Sequence, residues 1–272
     1  MPLTPEAQLA YLGFQLIAPD PALCSYVREY WYLRRDSPLR AYHEEYMHPR
    51  GRFGMVFNFG DKLHLDAQAI DDPTFLDGVN TVSRRMGFLG NVDLMGVSFH
   101  EGGAYPFLGV PLTELRDEIT LLEVLDRPGL LRLHARLYEA DSFPTRVSLL
   151  EEWLLNRLNL GKERDALIPV SLRVLREGEG NLPISELARK LAISQRQLER
   201  LYQSQVGMSP KQYSRLLRVE TARLTLKQKM GQSTTGLAAE LGFYDQAHFI
   251  REFSTVIGMT PYAYLKRNRQ RL

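Results

Sequence analysis

The chain has 272 residues, enough for two domains of ordinary size, with the apolar and charged fractions of a soluble globular protein. Its single cysteine, Cys24, excludes an internal disulfide and fits a reducing compartment. No run approaches the ~20 apolar residues of a membrane-spanning helix, and no secretory signal pattern is present. A cytoplasmic protein without membrane contact is therefore expected.

The charge is divided unevenly along the chain. Residues 1–160 carry 15 Lys and Arg against 22 Asp and Glu, whereas residues 161–272 carry 19 against 10. The overall net charge of +2 therefore combines a net of −7 in the first half with a net of +9 in the second. A basic half is the electrostatic footprint of a phosphate-binding surface, from which an acidic half would be held away.

The first half begins with a pattern of short strands. After a loosely packed lead-in at 1–20, apolar and β-branched runs separated by Asp, Gly, Asn and Pro predict a small barrel or sandwich. Strands are expected at 23–33, 53–59, 62–66, 81–88 and 93–99, with a loop at 36–50. Apolar residues three and four apart then predict helices near 113–124, 128–139 and 143–159. A short polar linker is expected at 161–165, before a helix at about 166–176.

The second half contains an internal repeat. The sequence GMSPKQY at 207–213 returns as GMTPYAY at 258–264, and apolar and aromatic positions upstream recur at nearly the same spacing. Two copies of one unit, in a chain too short for a solenoid, indicate a duplicated module.

The first copy has the pattern of two short helices joined by a tight turn. One helix has an apolar face of residues three and four apart: Ile184, Leu187, Ala188 and Leu191. Ser194 is expected to cap the next helix, with Gln197 as its capping-box partner. That helix has a polar stripe opposite its buried side: Arg196, Glu199, Arg200 and Gln203. A helix anchored on one side, with donors and acceptors on the other, suits base reading in the DNA major groove.

The second copy repeats this arrangement. A short helix around 237–241 leads through a turn at Gly242 to a helix capped by Asp245. A long helix joins the copies, beginning at Ser209-Pro210, running to about Lys229 and ending near Gly231. Gly236 is expected to weaken the short helix by up to about 1 kcal/mol relative to Ala.

These residues resemble the signature of the AraC/XylS family of transcription regulators. The stretch 237–253, LAAELGFYDQAHFIREF, followed by GMTP at 258–261 and Tyr264, carries the resemblance, which covers the chain from about residue 166. It implies two helix-turn-helix units that insert their second helices into successive major-groove segments on one face of DNA. Ala247 stands where Ser is common and Thr234 where an apolar residue is usual. We therefore expect the second unit to read DNA less strictly than the first.

The resemblance assigns DNA contacts by motif position. In the first unit these residues are Gln195, Arg196, Glu199 and Arg200, and in the second unit they are Ala247, His248 and Arg251. Two of them have alternative roles. Glu199 could pair with Arg196 or Gln203 on the helix surface, and His248 could be a partly buried helix residue.

The strands-then-helices order of the first half resembles the sensor half of many AraC-type regulators, in which a cupin-like barrel precedes dimerisation helices. The patches Tyr30-Trp31, His48-Pro49-Arg50-Gly51 and Gly96-Val97-Ser98-Phe99 carry this weaker resemblance. It implies that the barrel binds a small-molecule effector and that the helices near 113–159 mediate self-association.

Residue spacing argues against a metal site. His43 and His48 lie five apart, whereas zinc ligands on a helix lie four apart. His48, His64 and His100 with Glu101 could converge on adjacent strands, but surface or core histidines are the commoner case. No cofactor and no metal are therefore predicted.

The sequence thus predicts an α+β protein of two domains. A cupin-like β-barrel with following helices occupies 1–160, a linker 161–165, and an all-α domain of two helix-turn-helix units joined by a long helix 166–272. The predicted function is a non-enzymatic, sequence-specific transcription regulator with double-stranded DNA and RNA polymerase as partners. The first half remains open between an effector-binding domain, a dimerisation or protein-contact module without ligand, and an enzymatic barrel that uses a metal or the Cys24 thiol.

Overall fold

The structure, a computed structural model, describes residues 9–116, 119–120, 127–158, 162–228 and 236–269. Ten antiparallel strands in the first half form two open sheets, of order β1-β2-β9-β4-β7-β10 and β3-β8-β5-β6. The strands are β1 (Gln15–Ile17), β2 (Val27–Arg34), β3 (Leu39–Met47), β4 (Gly54–Asn58), β5 (Leu63–Leu65), β6 (Gln68–Ile70), β7 (Thr74–Asp77), β8 (Arg84–Gly90), β9 (Asp93–Phe99) and β10 (Ile119–Thr120).

The larger sheet is buried on both faces. On one face Val56 packs with Phe75 of its own sheet and Phe88 of the smaller sheet, in the core between the two. On the other face Met55 and Phe57 belong to a second core that includes the helices. Because successive residues of a strand point to opposite faces, burial of both faces explains the unbroken apolar run in β4.

Three expectations for the β-sheets of the first half were wrong. A closed barrel was expected, but no described strand pairs from one sheet to the other. The expected loop at 36–50 contains β3, which pairs with β8. The expected lead-in at 1–20 contains β1, paired with β2, and a buried Leu12. Both strands lie at sheet edges, where polar, exposed residues hide the alternating apolar pattern by which strands are recognised.

The described part of the chain contains ten α-helices, of which only the first precedes strand β10. They are α1 (Tyr105–Leu108), α2 (Arg127–Glu139), α3 (Phe143–Leu158), α4 (Leu167–Glu177), α5 (Ile184–Lys190), α6 (Gln195–Gln205), α7 (Pro210–Gln228), α8 (Leu237–Glu240), α9 (Gln246–Ile257) and α10 (Pro261–Arg269). The helices predicted at 128–139 and 143–159 are thus α2 and α3. None of the described helices is long and apolar enough to cross a membrane.

The helix predicted at 113–124 was wrong. Leu112–Leu115 form a 3-10 turn, and Ile119–Thr120 pair with β7 as the short strand β10. Residues 117–118 and 121–124 lie outside the described part. A local apolar period cannot show that a segment pairs with a strand some 40 residues earlier, because that pairing is a tertiary contact.

Arg146 fixes α3 to the larger sheet. Its side chain is 4% exposed, and its Nη1 atom donates to Asp93 Oδ1 at 2.7 Å and to the Tyr32 hydroxyl at 3.0 Å. The guanidinium also lies 4.2 Å from the centroid of the Phe59 ring. Removing one partner of such a buried, hydrogen-bonded ion pair strongly destabilises the folded state.

Partly buried His48 lies between the two halves of the chain. Its Nδ1 atom is 2.8 Å from Ser83 Oγ, and its ring centroid is 5.8 Å from that of Tyr264 in α10. Burial, followed by the positive charge of Arg223, lowers the pKa of His48 to about 3, and Glu220 only partly opposes this shift. The folded protein therefore holds this imidazole neutral.

We expect Arg146→Met to lower the free energy of unfolding by about 3 kcal/mol, because Asp93 and Tyr32 lose their buried partner. Arg136→Met is the matched control, since Arg136 pairs with Glu152 in a solvent-exposed ion pair between α2 and α3. Its cost should stay below about 1 kcal/mol. Urea unfolding curves measure both variants. Equal losses would show that the Arg146 cluster contributes no more than a surface pair.

We expect His48 to make the protein acid-sensitive. An unfolded histidine titrates near pH 6.5, so as the pH falls from about 6.5 towards 3 the unfolded state gains a proton that the folded state does not, and stability falls. Between about pH 7 and pH 5 the contribution is about 2 kcal/mol. His48→Asn should remove this part of the pH dependence in urea titrations. An unchanged difference in stability between the two pH values would contradict the lowered pKa.

Candidate nucleic-acid interface

The first helix-turn-helix unit consists of α5 and α6, as the sequence predicts. Its turn is closed by a hydrogen bond from the Ile193 amide to the Ala188 carbonyl, with Ala192 in a left-handed conformation at φ +54°. Ser194 Oγ then accepts the Gln197 amide at 3.1 Å and caps α6. The inner side of the unit is apolar and includes the buried residues Leu187, Ala188, Leu198 and Tyr202.

The second unit, α8 and α9, repeats this geometry. Gly242 lies in its turn at φ +75°, where a Cβ atom would come within 2.1 Å of Asn181 Oδ1, so glycine is required. Asp245 caps α9 by accepting the His248 amide at 2.6 Å. Phe249 and Phe253 pack inward.

The expected destabilisation by Gly236 was wrong. Gly236 precedes α8, and its carbonyl accepts the amides of Ala239 and Glu240 at the start of the helix. It adopts φ +89°, a conformation that residues with a Cβ rarely take. Glycine therefore suits this position, whereas the predicted cost applied to a helix interior. Thr234 and the predicted helix end at Lys229 to Gly231 lie outside the described residues.

The long helix α7 holds both units. It begins with a complete capping box, in which Gln212 Oε1 accepts the Ser209 amide at 2.8 Å and Ser209 Oγ accepts the Gln212 amide at 3.1 Å. Arg215 pairs with Glu252 of α9 at 2.6 Å. Tyr213 is buried near Tyr202 of the first unit, their ring centroids 6.4 Å apart.

A buried ion pair in α7 joins three parts of the chain. Glu220 accepts two 2.7 Å hydrogen bonds from Arg223, which also donates to the Tyr264 hydroxyl of α10 at 3.1 Å. Arg50 of the first half lies 3.9 Å from the same carboxylate. Burial opposes ionisation of Glu220, but the hydrogen bonds and charge of Arg223 outweigh it and hold the Glu220 pKa below its ordinary value.

The structure places the seven predicted contact residues on two accessible faces. Those on α6 are all exposed: Gln195, Arg196, Glu199 and Arg200. On α9 Ala247 and Arg251 are exposed and His248 is partly buried. The guanidinium groups of Arg196, Arg200 and Arg251 make no hydrogen bond or ion pair with any residue that the structure describes.

The two residues with alternative roles have intramolecular partners. Glu199 Oε1 accepts a long hydrogen bond from Gln203 Nε2 at 3.4 Å along the surface of α6. His248 Nδ1 lies 3.3 Å from the Tyr244 amide, and its ring meets Phe243 edge-on. Neither contact covers the exposed face of its helix.

The first half contacts α6 and α9, the second helices of the two units, at their C-terminal ends, which sequence analysis did not reveal. At the end of α6, Gln203 accepts a 3.1 Å hydrogen bond from Thr113, and Gly207 packs against Leu112. At the end of α9, the Val256 carbonyl accepts bonds from the amide of Ser83 at 2.8 Å and from its hydroxyl at 3.2 Å. The N-terminal turns, which in helix-turn-helix proteins contact base edges, remain open.

A cavity of about 510 Å³ lies where the halves meet. Its apolar wall comes from both sheets and from the segment before β1, and includes Phe14, Trp31, Leu33, Met86 and Phe88. At the other side it is lined by α7, the segment before α10 and α10 itself, through Arg223, Met259, Tyr264, Arg267 and Asn268. The cavity therefore shares side chains with the Glu220–Arg223–Tyr264 cluster.

The histidines considered as metal ligands have other surroundings. His48 contacts Ser83, His64 lies edge-on to Tyr42, and His100 lies next to Glu101, which pairs with Arg176 at 3.0 Å. Among the described residues no group of three or more His, Cys, Asp or Glu side chains could hold a metal ion. Cys24 is exposed.

Two protein families match the chain. Residues 187–267 match the family described as "Helix-turn-helix domain", and residues 15–120 match "Domain of unknown function (DUF6597)". The first match covers both units, and the second covers the strands β1 to β10.

The matches to curated relatives cover less than half of the chain. An "Uncharacterized HTH-type transcriptional regulator" of Haemophilus influenzae is 29% identical over 119 residues, covering 44% of this chain and 38% of its own. The HTH-type transcriptional regulator ArgR of Pseudomonas aeruginosa is 30% identical over 125 residues, covering 41% and 37%. The match thus spans less than two fifths of the length of these relatives.

Among solved structures, ToxT of Vibrio cholerae aligns over 85% of this chain and 95% of its own, with 12% identity and a TM-score of 0.45. A likeness at this level carries no inference about ligands. The sequence motif, the repeated helix-turn-helix geometry and the family match at residues 187–267 agree with one another. The C-terminal part of the chain is thus a helix-turn-helix domain of the AraC type.

Proposed function

We propose that the protein is a transcription regulator that binds double-stranded DNA through α6 and α9. One observation carries the proposal: both recognition helices are held at their C-terminal ends and present their N-terminal turns to solvent. The net charge of +9 over residues 161–272 would attract the phosphate backbone to this side of the molecule.

Each exposed side chain suits a particular contact. The guanidinium groups of Arg196, Arg200 and Arg251 can bond to two guanine acceptors at once or to phosphate, and Ala247 can pack on a thymine methyl group. We give Glu199 a weaker role, since Gln203 already engages its carboxylate. Gln195, in the first turn of α6, is placed to bond to a base edge or a phosphate.

We also propose that residues 1–160 act as a sensory domain for 166–272, with 161–165 as the link. The cavity of about 510 Å³ supports this role, because its size is that of a small-molecule site and its walls come from both halves. An apolar effector bound there would contact Arg223 of α7 and Tyr264 of α10, whose ring centroid lies 5.7 Å from that of Phe253 in α9. Binding would therefore bear directly on the position of α9.

Self-association through α2 and α3 remains a proposal from the family resemblance. It is supported by two apolar side chains on the outer side of α2, Leu131 and Tyr138, which are 41% and 62% exposed. RNA polymerase contact, a cytoplasmic location and the absence of enzymatic activity remain predictions.

We expect Arg200→Ala to reduce preference for the selected DNA sequence about tenfold and to weaken binding to random duplex DNA much less. The reason is that a two-pronged base contact discriminates, whereas a phosphate contact does not. Arg136→Ala, on α2 of the first half, is the control. Fluorescence anisotropy on matched and random duplexes measures both affinities. Equal losses on the two duplexes would reassign Arg200 to a phosphate contact.

We expect the cavity to bind the apolar fluorescent anion 8-anilinonaphthalene-1-sulfonate, with enhanced emission at one saturable site. Met86→Trp should weaken this binding about tenfold or more, because the larger ring occupies the cavity. Leu131→Trp adds the same ring on the exposed side of α2 and should leave binding unchanged. Equal affinity in all three proteins would place the dye elsewhere and remove this support for an effector site.

A further inference from the structure

The imidazole of His248 is held in one orientation by the turn that precedes α9. Its ring lies edge-on to the buried Phe243 ring, with centroids 5.8 Å apart and an angle of 68° between the planes. The backbone amide of His248 is itself tied to the Asp245 carboxylate at 2.6 Å. Phe243 therefore packs against the ring, and Asp245 fixes the backbone that carries it.

The hydrogen bond at Nδ1 determines which ring nitrogen carries the proton. The Tyr244 amide points at His248 Nδ1 from 3.3 Å, and a backbone N–H can only donate. A proton on Nδ1 would set two donors against each other, so Nδ1 is the acceptor. In a neutral imidazole the proton then resides on Nε2. His248 Nε2 makes no hydrogen bond with any described residue.

We propose that His248 presents a fixed Nε2–H donor to DNA and selects a hydrogen-bond acceptor at one base pair. This inference rests on the proposed DNA-binding function. Ala247 and Arg251, on the same side of α9, are exposed, so the ring lies beside the residues expected to face the groove. In the major groove the acceptors are guanine O6 and N7, adenine N7 and thymine O4, whereas the amino groups of adenine and cytosine are donors.

The Nε2–H donor of His248 implies a preference for particular bases at one position of the DNA. A single donor at this position favours guanine, thymine or the N7 atom of adenine, each of which offers an acceptor in the groove, and disfavours cytosine, whose only polar group there is an amino donor. Tyr244 acts here as a positioning residue through its backbone amide, so changes to its side chain should leave the preference intact. Its hydroxyphenyl group is 93% exposed.

The first test needs no DNA. Nitrogen-15 NMR of histidine-labelled full-length protein, recorded at about pH 8, distinguishes the two tautomers by the chemical shifts of the ring nitrogens. The signal of His248 is assigned as the one that disappears in His248→Gln. We expect a protonated Nε2 and an unprotonated Nδ1. A proton on Nδ1 would overturn the inference, whatever the protein binds.

The second test compares three variants in selections from random duplex DNA. His248→Gln places an amide nitrogen close to the position of Nε2, whereas His248→Asn reaches only as far as Nδ1 and His248→Phe keeps the ring without a donor. We expect Gln to retain the preference at one base pair within about threefold, and Asn and Phe to lose it about tenfold.

If wild-type protein enriches no motif, the proposed DNA-reading function fails, whereas the tautomer of His248 is still decided by the NMR experiment. If wild type enriches a motif and His248→Phe enriches the same motif with unchanged strength at every position, the donor role is wrong and the regulator stands. If Phe and Gln lose the same position equally, the ring acts by shape rather than by its donor, which also overturns the inference.

Discussion

The buried ion pair between Glu220 and Arg223 is the interaction on which the arrangement of the molecule depends. Both residues belong to α7, the helix that spans the two helix-turn-helix units, and together they engage Tyr264 of α10 and Arg50 of the first half. Arg223 is buried and Glu220 is partly buried, so removing the Glu220 carboxylate would leave a buried guanidinium uncompensated, at a cost of about 3 kcal/mol. The pair therefore favours one relative position of three segments over the alternatives.

The relative position of α7, α10 and the segment around Arg50 determines which faces of α6 and α9 are accessible. It also connects this candidate interface to the cavity. The hydrogen bonds of Thr113 and Ser83 join the first half to α6 and α9 near the C-terminal ends of these helices. The polar faces of both helices therefore stay accessible. The same Arg223 and Tyr264 line the cavity between the halves. A ligand in the cavity and DNA on α9 would thus act on one connected set of side chains, which provides a physical route for coupling between the two sites.

The sequence best predicted the features that depend on residues close together in the chain. The caps Ser194 and Asp245, the turn at Gly242 and the long helix α7 all follow from patterns within a few residues, and the structure has each of them. The edge strands β1 and β3 and the short strand β10 were missed, because they are recognised by their hydrogen-bonded partner strands and not by their residue composition. The contact of Ser83 with Val256, 173 residues away, has no local signal at all. The exposed residues of the candidate interface were predictable from the repeat, but their DNA contacts remain a proposal.

We propose that α7 holds α6 and α9 so that both read the same face of one duplex. Hydroxyl-radical footprinting of the protein on a duplex enriched from random sequences tests it most directly. We expect two protected patches about one helical turn, some 10 base pairs, apart on one face of the DNA. A single patch, or two patches on opposite faces, would contradict it and leave at most one unit as a reader of bases.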